Sequence, residues 1–165
     1  MIITASAGSR YGGRHLRCQS GARPTLPTGS LPRRLQLGEV KGIHLDYLGA
    51  GAEVIQTNTF GANAKKLEFH GLDEQVREIN AAGVRLAREV AGEDVFVAGS
   101  VGPIETSPFS NEFSAEEVGS AFKEQMEVLV EGGIDLIMLE TFSDSREVKI
   151  ATQLALTYDL PVVVQ

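Results

Sequence analysis

The sequence predicts an α/β protein built on parallel strands, and three observations predict it. Four short runs rich in β-branched residues begin near residues 53, 95, 134 and 161. Amphipathic helical patterns fill the intervals, and a helix between two strands returns the chain to the same end of the sheet, which makes the pairing parallel. The strands are also nearly continuous apolar runs, as expected where helices cover one sheet face and a packed interior the other. An eight-stranded barrel and an open doubly wound sheet both satisfy these observations, and periodicity alone chooses neither.

Residues 1–38 are rich in Gly, Ser, Pro and Arg and show no helical or strand period, so they are expected to form a disordered or non-native leader. An Arg-rich, acid-poor leader suits an organelle transit peptide, a loose anion-binding arm, or a misplaced start joined to a normal coding region. The domain proper is expected over 39–165. Val40, Ile43, His44, Tyr47 and Leu48 recur at helical spacing until Gly49 and Gly51. Glu53 to Phe60 reads as a strand, and Ala62 to His70 as a short helix. Asp73 is expected to cap a longer helix whose Val76, Ile79, Gly83, Leu86 and Val90 share a face, with Arg85 and Glu89 paired at i,i+4.

Val95 to Ser100 is the second strand, running into a Gly102-Pro103 turn and a loop. Ser114 and Glu117 have capping-box spacing ahead of the stripe Val118, Ala121, Phe122, Gln125, Met126 and Leu129, and Gly132-Gly133 stops that helix. Ile134 to Glu140 is the third strand. Asp144, with Glu147 three residues on, caps a helix buried through Val148, Ala151, Leu154, Ala155 and Tyr158, and Pro161 to Gln165 is the fourth strand.

Composition narrows the function classes. The formal charge is −7, but residues 1–40 carry six arginines against Glu39 alone, so the remainder carries −12. An acidic body disfavours nucleic acid, because phosphate contacts need a basic surface. No apolar run is long enough to span a membrane, so a cytoplasmic protein acting on small molecules is expected. Cys18 is the only cysteine, which excludes an internal disulfide and any paired-cysteine zinc motif.

Chemistry in a barrel of parallel strands belongs at the C-terminal strand ends. Those ends carry Thr57-Asn58-Thr59, Ser100, Glu140-Thr141 and Gln165. Asn58 and Ser100 have two readings, as site residues or as groups that satisfy loop backbone. Glu140 ends the strongly apolar run Leu136 to Leu139, where an unpaired carboxylate is costly to desolvate. Its expected partner is a substrate ammonium group, with Arg146 or Lys149 of the next helix as the alternative. Gly49-Ala50-Gly51 follows a helix and precedes a strand, the reverse of a dinucleotide fingerprint. His44, on an apolar helix face, reads as a satisfied structural histidine.

Five segments in order, His44 to Ala52, Gln56 to Asn63, Glu78-Ile79-Asn80, Ala98 to Pro103 and Leu139 to Asp144, resemble the homocysteine S-methyltransferase family. The resemblance covers residues 43–165. It implies an incomplete (β/α)8 TIM-type barrel, about strands two to five with their helices, that binds homocysteine at its C-terminal mouth and transfers a methyl group to the sulfur to give methionine. It also implies a zinc ion held by cysteine thiolates, which lowers the pKa of the substrate thiol so that the nucleophilic thiolate forms. Glu140 matches the family glutamate that receives the substrate ammonium, with Asn58, Ser100 and Thr141 as its expected substrate-binding neighbours.

The family's first strand, with its Asp-Gly motif, has no match in residues 1–39, and its zinc cysteines would fall beyond Gln165, so no metal ligand is expected here. The partners implied are homocysteine and a methyl donor, with no nucleic acid and no membrane, and open sheet edges suit self-association. Two alternatives remain at this point: a non-catalytic half barrel that works only with another chain, and a different TIM-barrel enzyme.

Overall fold

A computed structural model describes residues 33–104 and 113–165, with side chains from Gly38 onward. Residues 1–32 of the leader expected over 1–38, and residues 105–112 of the loop after β2, lie outside the described residues. Helix α1 spans Arg33–Gly49, β1 Val54–Gln56, α2 Ala64–Glu68, α3 Val76–Ala91 and β2 Phe96–Val101. Then follow α4 at Ala115–Glu131, β3 at Leu136–Leu139, α5 at Ser145–Ala155 and β4 at Val162–Val164. The four strands form one sheet in the order β1-β2-β3-β4 with every pair parallel, as the alternation requires. Sequential order with helices between neighbours is the wall of a (β/α)8 barrel, and it lacks the reversal of strand order that marks a doubly wound sheet.

One continuous core lies between the sheet and the helices, built from Ile55, Val97, Val101, Ile137 and Leu139 on the strands and Val84, Ala87, Phe122, Met126, Leu129, Ala151 and Ala155 on the helices. Local signals explain where most helices begin and end. Ser114 Oγ accepts from Glu117 N at 3.2 Å while the Glu117 carboxylate accepts from Ser114 N at 2.8 Å, a complete capping box. The bond from Ser114 N, with a second from Ser114 Oγ at 2.8 Å, holds the Glu117 carboxyl below its usual range. Asp144 caps α5 by accepting from Arg146 N at 2.7 Å, and Gly133, at φ 85°, takes the left-handed turn after α4.

Several expectations are corrected. Helix α1 starts at Arg33, inside the span expected for the leader, because Arg33-Arg34-Leu35-Gln36-Leu37 are all good helix formers. Asp73 does not cap α3. It opens a 3₁₀ turn over Asp73–Gln75, and Gln75 then stands at the α3 N-cap without a side-chain capping bond. The buried face of α3 is turned by about one residue, to Val76, Asn80, Val84, Ala87 and Ala91. Glu89 pairs across to Lys41 of α1 and not along its own helix to Arg85, because inter-helix packing brings the lysine to it.

Glu147 is no capping partner of Asp144. It is fully buried and its Oε2 accepts from Ile104 N at 2.9 Å, tying α5 to the loop after β2. His44 is buried, as expected, but it is not satisfied: among the described residues neither ring nitrogen has a hydrogen-bond partner. The strands are shorter than their apolar runs because ladder pairing, not composition, sets their limits.

Two expected outcomes follow from this packing. A Cβ on Gly102 would stand 2.3 Å from the Phe60 ring, so Gly102→Ala should cost about 1–3 kcal/mol, read as an earlier midpoint in urea; an unchanged midpoint would mean the ring yields freely. Burial lowers the His44 pKa, so the unfolded chain binds its proton first. The contribution of neutral His44 is then fully present above about pH 6.5 and lost as pH falls below it. His44→Leu should flatten the decline of stability with acid in that window, and an identical pH profile in wild type and variant would refute it.

Candidate functional site

Alternate residues along a strand face opposite sides of the sheet. Ile55, Val97, Val101, Ile137 and Leu139 point to the helices, so the other face carries Gln56, Ala98, Ser100, Met138 and, by parity, Glu140. The register sets Gln56 beside Ala98 and Ser100 beside Met138, which gathers Gln56, Ser100 and Glu140 at the C-terminal ends of three adjacent strands. Glu140 is only 5% exposed. Its Oε1 accepts from Ser100 Oγ at 2.5 Å and from Gln56 Nε2. These charge-assisted bonds offset the cost of taking a carboxylate out of water.

The alternative cationic partners do not reach it. Arg146 Nη2 donates to Phe113 O at 2.8 Å, and Lys149 is exposed. Among the described residues, Glu140 therefore has hydrogen-bond donors but no opposing charge. Ser100 gives its hydroxyl to Glu140 and not to loop backbone.

The loop from β1 to α2 is held by buried polar side chains. Thr57 Oγ1 and Thr59 Oγ1 lie 2.7 Å apart, Ser100 N donates to Thr57 Oγ1 at 3.0 Å, and Thr59 Oγ1 donates to Ser100 O at 2.8 Å. Asn80 Nδ2 reaches Ala62 O at 2.7 Å, and Gln125 Nε2 reaches Thr59 O at 2.7 Å. Both residues are fully buried, so α3 and α4 fix the loop's carbonyls from behind. Asn63 Oδ1 accepts from Lys66 N at 2.9 Å and starts α2. Lys66 Nζ lies 4.8 Å from the centre of the Phe60 ring, and burial lowers its pKa against a smaller opposing pull from Glu147.

Of the residues singled out in the sequence, Glu140 and Ser100 are in direct contact. Asn58 is exposed on the loop after β1. Thr141 is exposed and adopts φ 63°, a left-handed conformation unusual for a β-branched residue. Gln165 pairs through its backbone with Leu139 and Thr141. Sequence reasoning missed Gln56, although strand parity carried the signal: Gln56 falls on the face that Ser100 and Glu140 share. A separate cleft of about 340 Å³ between α2 and α4, lined by Lys65, Glu116, Glu117, Ser120 and Glu124 among others, includes none of these residues. Among the described residues no three His, Cys, Asp or Glu side chains converge as a metal ion would require, and Cys18 lies outside them.

The chain was compared with known proteins. Its residues 13–165 match the family model described as homocysteine S-methyltransferase. It is 39% identical over 126 residues to betaine–homocysteine S-methyltransferase 1 of Danio rerio, covering 74% of this chain and 31% of that protein. It is 32% identical over 115 residues to methionine synthase of Mycobacterium tuberculosis, covering 66% of this chain and 10% of that protein. Among solved structures, the oxidized form of the homocysteine methyltransferase MmuM from Escherichia coli aligns with TM-score 0.66 and 26% identity over 84% of this chain and 56% of that one. Its metallated form aligns with TM-score 0.63 and 26% identity over 81% and 55%. The chain thus spans about a third of the first relative, a tenth of the second and about half of the solved enzyme. The family match takes in every described strand and helix, and with it the strand-end carboxylate: the chain belongs to the homocysteine S-methyltransferase family.

Proposed function

We propose that residues 39–165 form part of a homocysteine-binding barrel in which Glu140 anchors the substrate's ammonium group during methyl transfer to its sulfur. The observation that carries this reading is the buried Glu140 carboxylate, held by two neutral donors on one oxygen and paired with no cation among the described residues. A ligand ammonium supplies the missing charge, and the anchor fixes the amino acid at the strand ends so that its sulfur is presented to a donor. In the transfer itself the thiolate sulfur attacks the methyl carbon, the S–C bond forms, and the bond from methyl to its donor breaks with the electron pair leaving on the donor. Asn58 and Thr141, both exposed just beyond C-terminal strand ends, are assigned to the outer part of the same amino-acid site. No helix among the described residues is long and apolar enough to cross a membrane, and a cytoplasmic location is part of the same proposal.

A specific observation favours a second property, self-association. Among the described residues β1 and β4 pair on one side only, and Val164 on β4 is 49% exposed. Unpaired strand edges recruit other strands.

Glu140→Gln keeps the size of the side chain and removes its charge, so homocysteine affinity should fall by about 2–3 kcal/mol, the scale of a charge-assisted hydrogen bond. Titration calorimetry checks this, and equal affinities would reject Glu140 as the amine anchor. On sizing, the chain should run as oligomers at micromolar concentration, whereas a monodisperse monomer with a cooperative melt would reject edge pairing.

A further inference from the structure

Strand β2 runs on to Val101 while its neighbour β1 ends at Gln56, which leaves the end of β2 short of strand backbone on that side. Successive residues of a strand turn their N–H and C=O groups to opposite neighbours. Ala98 O accepts from Thr57 N at 2.9 Å, so Ser100, two residues on, turns both its backbone groups the same way. Two side chains meet them there. Ser100 N donates to Thr57 Oγ1 at 3.0 Å, and Thr59 Oγ1 donates to Ser100 O at 2.8 Å. The two threonine hydroxyls lie 2.7 Å apart. A hydroxyl has a single hydrogen, and that of Thr59 is committed to Ser100 O, so Thr57 is the donor between them. The bonds close a ring from Ser100 N–H through Thr57 and Thr59 back to Ser100 C=O, and all three residues are 1% exposed.

The ring occupies the backbone of Ser100 and leaves its side chain to serve Glu140. A carboxylate only accepts, so the hydroxyl hydrogen of Ser100 is given to Glu140 Oε1, 2.5 Å away. With its N–H, C=O and O–H all in use, Ser100 keeps no donor for a ligand. Gln56 Nε2 donates to the same carboxylate oxygen, and Glu140 Oε2 receives no hydrogen bond among the described residues. Bonds in a closed ring polarise one another, and opening the ring orphans a buried backbone group. The place of Ser100 Oγ is therefore closely set.

Resting on the reading that Glu140 anchors the substrate amine, we propose that Ser100 is a positioning residue for that anchor, held by the Thr57–Thr59 hydroxyl ring and acting on the substrate only through Glu140. Its hydroxyl fixes Oε1 and with it the plane of the carboxylate, which leaves Oε2 to take the ammonium group in a set direction. An anchor ordered before the ligand arrives loses less freedom on binding. Without the hydroxyl the carboxylate keeps one side-chain donor and can turn about it, so the amine must order its own partner. A ligand that lacks the amine gains nothing from that order.

The test uses the 165-residue chain in titration calorimetry with homocysteine and its desamino counterpart, 4-sulfanylbutanoate, on wild type, Ser100→Ala, Glu140→Gln and the double variant. Ser100→Ala is expected to bind homocysteine about tenfold more weakly, the scale of one hydrogen bond to a charged group, and to leave the desamino ligand unchanged. In the Glu140→Gln background the same substitution should shift homocysteine affinity by less than about twofold, since the group it acts through is gone. This cycle needs homocysteine alone. Equal weakening toward both ligands, or a tenfold loss in both backgrounds, would mean that Ser100 supports only the fold, and it overturns the proposal. Tighter homocysteine binding by Ser100→Ala also overturns it, because the hydroxyl would then compete with the ligand for the carboxylate. If Ser100→Ala fails to fold, Thr59→Val decides: it keeps the methyl group and opens the ring, and it should weaken homocysteine alone, with Thr59→Ser restoring affinity. A loss shared by the desamino ligand, a loss that serine does not restore, or no loss overturns the role of the ring. Weakening in Glu140→Gln with no change in Ser100→Ala overturns this inference and spares the amine anchor. Absence of homocysteine binding by wild type, or unaltered binding in Glu140→Gln, overturns the anchor and the inference together.

Discussion

A carboxylate at the end of an apolar strand must be given donors, and much of this structure can be understood from how Glu140 receives them. Its strand, β3, lies between β2 and β4 and cannot supply a side-chain donor of its own at the right height. The donors come from the two strands to one side, through Ser100 and Gln56. That is possible only because all the pairs are parallel, which brings every C-terminal strand end to one edge, and because the register keeps the three side chains on one face. A slip of one residue would turn Ser100 toward the helices and strand the carboxylate.

The same need for satisfaction extends into the loops behind the site. The β1–α2 loop turns within a few residues and exposes carbonyls to the interior, where Asn80 takes that of Ala62 and Gln125 that of Thr59. Gly83 on α3 gives this loop room, since a Cβ there would lie 2.6 Å from the Thr59 methyl group. The loop after β2 is fixed by Glu147 at Ile104 N and by a bond from Gly102 N to Phe60 O at 3.0 Å. Each of these buried polar groups is unfavourable alone and stabilising once paired, so together they hold the strand-end loops in shape.

Periodicity and punctuation made the architecture legible. The strand positions, the box at Ser114 and Glu117, the Asp144 cap and the glycine stop after α4 are local properties of the chain, and they stand in the fold where the sequence places them. What stayed illegible depends on contacts between elements. Gln125 sits in an apolar stripe and Asn80 lies off the face expected for α3, and neither declares the carbonyl it serves. Glu147 has the spacing of a capping partner and instead crosses to another loop. Asp73 looked like a cap, but the chain takes a 3₁₀ turn first. Glu140 and Ser100 could be named because a strand-end position suffices to mark them, whereas Gln56 needed the register of two neighbouring strands.

Thr141 shows how the site is closed off from its own strand. A β-branched residue at φ 63° is unfavourable by about 1–2 kcal/mol, and the surroundings over-determine it. Its N–H donates to Gln165 O at 3.0 Å, continuing the pairing with β4, while Asp144, three residues on, is already committed to the first turn of α5. Between these fixed points the chain must leave the sheet abruptly. An ordinary extended residue at 141 would carry β3 onward and delay the turn into α5. The left-handed turn ends the strand at Glu140, so the carboxylate becomes the last side chain on the inner face, at the rim where a ligand's charge can meet it. The strain and the exposed Thr141 side chain therefore belong to the same design as the buried pair beneath them: one sets where the strand stops, the other what the last residue can hold.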